Sequence, residues 1–123
     1  MIKKILIADD SPVARRILKS CIPRAEDFDF FEVEDGVQGL ETFKGIRPDV
    51  TFMDIDMPNM SGVECLKEIK KINPDAVVIM CSSETNQELL AETVSLGALT
   101  VVKKPPTRES IQQALTKAQE SIK

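Results

Sequence analysis

Apolar residues follow two rhythms along this chain. Short, nearly continuous runs occupy residues 4–8, 28–34, 49–53, 76–81 and 99–102, which is the length and composition of strands. Between them the apolar positions recur every three or four residues, the spacing of one helix face. Ser11-Pro12 predicts a helix start, serine as cap and proline at the first helical position. Val13, Ile17, Leu18 and Cys21 are its expected buried face. Asp35 predicts the cap of a second helix with Val37, Leu40 and Phe43 inward, and charges mixed into 28–34 mark that strand as an edge. Ser61-Gly62-Val63-Glu64 reads as a capping box before Val63, Leu66 and Ile69, with Asn73-Pro74 ending that helix. Thr85-Asn86-Gln87-Glu88 reads as another box, leading into Leu89, Leu90, Thr93 and Val94 and stopped by Gly97. Thr107 predicts the last cap, with Ile111, Ala114, Leu115, Ala118 and Ile122 inward.

Five strand–helix pairs with short connections predict parallel strands joined by right-handed crossovers. The expected fold is α/β, a doubly wound (βα)5 sandwich with helices on both faces of a five-stranded sheet. Residues 1–123 are expected to form one domain, since the length suits a single core and no repeat or linker interrupts the pattern. Sites in such sheets lie at the carboxyl ends of the strands. Here those ends carry Asp9-Asp10, Asp54, Ser82 and Lys104, from the first, third, fourth and fifth strands.

Charge and composition then remove several alternatives. The net charge of −4 disfavours nucleic acid as a partner. The apolar runs are strand-sized and the N-terminal one stops at Asp9, so neither membrane insertion nor a secretory leader is expected, and the cytoplasm is the expected compartment. The chain contains no histidine, which excludes Ser-His and Cys-His catalysis within it. Cys21, Cys65 and Cys81 are widely spaced and form no CxxC pair, so they are expected to be buried free thiols.

Taken singly, each rim residue has an ordinary explanation. Asp9 and Asp10 suit a strand exit, Asp54 a turn before Met57-Pro58, Ser82 a cap, and Lys103-Lys104 a solvated pair. Their joint occurrence on one rim favours chemistry. Three carboxylates crowded together need a compensating charge, and a hard divalent cation such as Mg²⁺ is the usual one. Asp10 and Asp54 suit direct oxygen ligation, and Asp9 contact through water. An ammonium and a hydroxyl beside such a carboxylate suit phosphoryl transfer, where positioning and charge neutralisation dominate. The carboxylate itself can be the nucleophile.

At these residues the chain resembles the receiver domains of bacterial two-component systems, along essentially its whole length. The resemblance rests on 6–10 (Leu-Ile-Ala-Asp-Asp), 54–62 (Asp-Ile-Asp-Met-Pro-Asn-Met-Ser-Gly), 78–83 (Val-Ile-Met-Cys-Ser-Ser), and Gly97-Ala98 followed by Lys104-Pro105. It implies a flavodoxin-like, CheY-like sheet of order 2-1-3-4-5. It also implies Asp54 as phosphoacceptor, and a Mg²⁺ site of Asp9, Asp10, Asp54 and the backbone carbonyl of Asp56. Ser82 would be the switch hydroxyl and Lys104 the lysine that pairs with the phosphoryl group, with a cis bond to Pro105. The stand-alone CheY type is the nearest resemblance. It implies a monomer phosphorylated by a sensor histidine kinase or histidine phosphotransfer protein, slow self-dephosphorylation, and a protein target such as the flagellar motor switch in chemotaxis.

Two departures bear on output. Val101 stands where the family usually has a swinging aromatic, and Pro106 stands where an aromatic commonly follows Lys-Pro. Alternatives are a phosphorelay intermediate or phosphate sink, and a receiver-like scaffold that is not phosphorylated. A haloacid-dehalogenase-like phosphatase would use Asp54-Ile55-Asp56 as its DxD pair. That family places the motif on its first strand, without a proline at the position Pro58 occupies.

Overall fold

A computed structural model describes residues 1–83 and 86–122. Strands β1 (Lys4–Ala8), β2 (Asp29–Val33), β3 (Val50–Asp54), β4 (Val78–Ser82) and β5 (Thr100–Lys103) alternate with helices α1 (Pro12–Cys21), α2 (Gly36–Ile46), α3 (Gly62–Ile72), α4 (Gln87–Ser95) and α5 (Arg108–Ser121). A short 3-10 turn, Ala25–Asp27, precedes β2. The strands form one parallel sheet in the order β2-β1-β3-β4-β5. The last four strands begin one or two residues later than the apolar runs predict. At their other ends β3 and β4 run one residue further than predicted, because Asp54 and Ser82 still pair with neighbours, opposite Cys81 and Lys103.

Each sheet face carries its own core. Phe52, Ile7 and Ile79 pack with Leu18, Ile111 and Ala118 from α1 and α5. Leu6, Met53 and Met80 pack with Phe43, Leu66 and Ile69 from α2 and α3. Burying each of these large side chains contributes about 1.5–3 kcal/mol. Ser11, Asp35, Ser61 and Thr107 cap their helices as predicted. Asn86 caps α4 by accepting from the backbone N–H groups of Glu88 and Leu89; the Thr85 of the expected box lies outside the described residues. Gly97 follows α4 with φ +111°, a conformation open to glycine.

The helix faces depart from expectation at four positions. Val13, Ile17, Val37 and Val94 are exposed. Leu18 and Cys21 carry the buried stripe of α1, and Gly36, Gly39 and Phe43 that of α2. Small residues let α2 approach closely, so its inward face needs fewer large side chains. All three cysteines are buried and free, as expected.

Thr51 is one core residue whose chemistry is unmatched. Its Oγ1 is buried on β3 without a hydrogen-bond partner among the described residues. Thr51→Val keeps the shape and removes an unpaired hydroxyl, so it should raise stability by about 1 kcal/mol. Urea unfolding followed by circular dichroism measures this; a loss of stability would mean the hydroxyl is satisfied.

Candidate functional site

β1 delivers its carboxylates at the point where the ladder ends. The Asp9 N–H still donates to the Val33 carbonyl at 3.1 Å, which turns the chain out of the sheet. Asp9 is buried; its Oδ1 accepts from the Ser11 N–H at 2.9 Å and its Oδ2 from Lys104 Nζ at 2.6 Å. Asp54 closes β3, and its Oδ1 accepts from the same ammonium at 3.1 Å. Lys104 is aimed there because its own N–H donates to the Ser82 carbonyl at 2.9 Å, continuing the β4–β5 ladder by one step. The bond that follows it, to Pro105, is cis, as the resemblance implies. Asp10 is exposed, and one carboxylate oxygen each from Asp9, Asp10 and Asp54 lies within 4.8 Å of the others.

One ammonium, bonded to Asp9 and Asp54, thus serves a cluster of three carboxylates. Burial pushes the Asp54 carboxyl above the ordinary aspartate range, and the neighbouring Asp9 charge adds to this against the pull of Lys104. Burial also works against the Lys104 ammonium, yet its hydrogen bonds to Asp9 and Asp54 and their charges together hold its pKa above the ordinary lysine value. The cluster is short of positive charge, its donors are all hard oxygens, and they are close enough to share one ion. The donor set therefore suits a small divalent cation.

A raised aspartate pKa means that the ionised form strains the fold, and that this strain is relieved as pH falls through the folded-state pKa. Asp54→Asn should therefore raise the melting temperature of the metal-free protein by a few degrees at neutral pH. The gain should shrink on acidification. Differential scanning calorimetry reads both, and a lower neutral-pH melting temperature would reverse the sign assigned here.

Ser82 ends β4 in a buried position one step beyond Cys81, the strand partner of Asp54. Asp56 is exposed in the connection from β3 to α3. That connection is cinched by backbone contacts: the Gly62 N–H donates to the Ile55 carbonyl at 2.8 Å and the Gly36 N–H to the Met60 carbonyl at 3.1 Å. Asn59, at φ 68°, donates its side-chain amide to Asp35 Oδ2 at 2.8 Å. That carboxyl is held below the ordinary aspartate range, first by the Gln38 N–H and then by Asn59.

Arg15 is a site residue that sequence reasoning missed. Its guanidinium donates to the Asp9 carbonyl at 2.5 Å and to Glu32 at 3.0 Å, tying α1 to the ends of β1 and β2. No local signal marks it, because Glu32 lies on another element. Burial works against the Glu32 carboxylate, but Lys19 and Arg15 together hold its pKa below the ordinary value.

The position of Asp54 at the end of the third strand does not match a haloacid-dehalogenase-like phosphatase, whose nucleophile follows the first. A family model described as the response regulator receiver domain matches residues 5–116. Chemotaxis protein CheY of Thermotoga maritima is 36% identical over 94% of this chain and 96% of its own length. Sporulation initiation phosphotransferase F of Bacillus subtilis is 34% identical over 95% and 94%. The CheX–CheY–BeF3–Mg²⁺ complex of Borrelia burgdorferi has a chain 28% identical, with a TM-score of 0.87 over 95% of this chain and 89% of that one. Sequence, strand order and the placement of the rim residues agree: the chain belongs to the response regulator receiver family of two-component signal transduction.

Proposed function

We propose that residues 1–123 act as one receiver unit, a monomer in which Asp54 accepts a phosphoryl group. The observation that carries this reading is Lys104 Nζ held between Asp9 and Asp54 with Asp10 alongside. The Asp54 carboxylate attacks the donor phosphorus. Lys104 then pairs with the transferred oxygens, and the Ser82 hydroxyl donates to them. Asp9, Asp10, Asp54 and the Asp56 carbonyl would hold Mg²⁺, which supplies charge neutralisation for the phosphoryl oxygens. The chain turns over no separate substrate; it catalyses only its own phosphorylation and slow dephosphorylation.

The donor is a sensor histidine kinase or a histidine phosphotransfer protein, and the output is a protein contact made in the cytoplasm. No described helix is long and apolar enough to cross a membrane, and the acidic balance gives nucleic acid no purchase. Likeness to the Thermotoga CheY over nearly the full length of both chains supports a chemotaxis role, with the flagellar motor switch as target. A phosphorelay role is supported by the comparable likeness to the Bacillus phosphotransferase.

Titration with Mg²⁺ by calorimetry tests the ligand set, since the chain has no tryptophan or tyrosine for fluorescence. Asp10→Ala should weaken binding about tenfold or more, by analogy with the cost of lost ligand support elsewhere. Equal affinity would show that the ligands are wrongly assigned.

Output can be followed by amide NMR with beryllofluoride as the phosphoryl mimic. Val101 is β-branched and held on β5 against the α3-side core, with little rotamer freedom to relay a switch. Large shifts are expected at Ser82, Ser83, Asn86 and Lys104, and smaller ones at Val101. A Val101 shift equal to that of Ser82, with a changed χ1, would contradict the argument from side-chain size.

A further inference from the structure

The turn from β1 to α1 carries two of the three rim carboxylates, and it is held from both sides. The Asp9 N–H donates to the Val33 carbonyl of β2 at 3.1 Å. The Asp9 carbonyl accepts from Arg15 Nη1 at 2.5 Å. That guanidinium is fixed in turn: its Nε donates to Glu32 Oε1 at 3.0 Å, and Lys19 holds the second Glu32 oxygen at 3.1 Å. The Arg15 side chain is only 12% exposed, so water competes little for these donors. The carbonyl it holds belongs to the peptide unit whose N–H is that of Asp10. A peptide unit is planar, so a bond to its oxygen also fixes the direction in which the chain enters Asp10. This matters more for Asp10 than for its neighbours. Asp9 is oriented through both of its carboxylate oxygens, and Asp54 through Lys104. Asp10 is exposed, and among the described residues no side chain holds its carboxylate.

We infer that Arg15 is a positioning residue for the Mg²⁺ site, acting through the Asp9–Asp10 peptide to aim the Asp10 carboxylate at the ion. The inference rests on Asp10 being a Mg²⁺ ligand. A ligand aimed in advance loses less freedom on binding. Groups that orient a ligand from behind typically control metal affinity by about 10- to 100-fold. The planar guanidinium suits this task, because one rigid group reaches the Asp9 carbonyl and Glu32 together. A lysine presents a single nitrogen, which cannot occupy the Nε and Nη1 positions at once. Charge alone predicts the opposite sign. A cation near the site repels Mg²⁺, so removing Arg15 would tighten binding if its charge were all that mattered. Positioning and charge therefore separate by direction.

The test is an amide NMR titration of the full chain with Mg²⁺, which reads weak affinities, with circular dichroism melting to confirm that each variant is folded. Arg15→Met keeps an unbranched stem and good helix propensity while removing every donor. It should weaken Mg²⁺ binding about tenfold. Arg15→Lys keeps the charge and should still weaken binding, by a smaller factor; it carries the test if Arg15→Met does not fold. Arg16→Met removes the same charge from the next, exposed position of α1 and should not weaken binding. Because Arg15 acts through Asp10, the double variant Asp10→Ala with Arg15→Met should bind no more weakly than Asp10→Ala alone. A reading without metal comes from the same spectra: Arg15→Lys should shift the Asp10 amide more than those of Asp54 and Lys104. Wild-type or tighter affinity in the folded Arg15 variants overturns the positioning role while Asp10 stands as a ligand. Additive losses in the double variant overturn it as well, since Arg15 would then act by a route other than Asp10. If Asp10→Ala itself binds Mg²⁺ as tightly as the wild type, the ligand reading fails and this inference with it.

Discussion

Incubation with acetyl phosphate and Mg²⁺ is expected to add one phosphoryl group per chain, and Asp54→Asn is expected to abolish the adduct. Three carboxylates meet at the rim, but their surroundings differ. Asp9 is committed through both oxygens, to the Ser11 N–H and to Lys104. Asp10 is exposed, and no side chain among the described residues is seen to orient it. Asp54 alone is half-buried at a strand end with one oxygen steered by the ammonium. A nucleophile held in place gains from proximity and from the fixed positive charge that its product needs. The acyl phosphate formed should be cleaved by hydroxylamine at neutral pH, which leaves a serine or threonine phosphate ester intact. An adduct that persists in Asp54→Asn would move the acceptor to another residue.

Gly62→Ala should destabilise the protein by about 3 kcal/mol or more. A Cβ on Gly62 would overlap the carbonyl oxygen of Asp54 itself, with the Ile55 backbone close behind. Neither neighbour can rotate away as a side chain would, so the connection from β3 to α3 must move. The same displacement would carry Asp54 and Asp56 out of register with Asp9 and Lys104. The variant should therefore bind Mg²⁺ weakly even where it remains folded. Gly45→Ala is the matched control. Gly45 is exposed on α2 with nothing within 4 Å of an added Cβ, and the change should stabilise by about 0.5–1 kcal/mol through helix propensity. Urea unfolding followed at the helix band measures both. A Gly62→Ala protein as stable as the wild type would show that the loop has slack the structure denies.

The features legible in the sequence are those whose causes are local. Ser11, Asp35, Ser61 and Thr107 could be read as caps because each meets a backbone N–H three residues on. The alternation of strand and helix, and with it a parallel sheet, follows from apolar spacing and short connections. Strand ends are local too, which is why Asp9, Asp10, Asp54, Ser82 and Lys104 stood out before any contact was known. Order 2-1-3-4-5 came from resemblance, since spacing alone leaves the strand order open.

Tertiary structure decided what depends on the partner across the fold. The outward turn of Val13, Ile17, Val37 and Val94 could not be read from periodicity. A helix face is buried only where a neighbour covers it, and the wheel is the same either way. The Lys104–Asp9 pair spans 95 positions, and Arg15–Glu32 joins two elements. The charge imbalance that helps raise the Asp54 carboxyl arises only when the ends of β1, β3 and β5 converge. The close approach at Gly62 is likewise a property of assembled surfaces. Local sequence sets which groups are available and how each segment is shaped. The distances between those groups, and therefore their pKa values and their metal affinity, are set by packing between segments far apart in the chain.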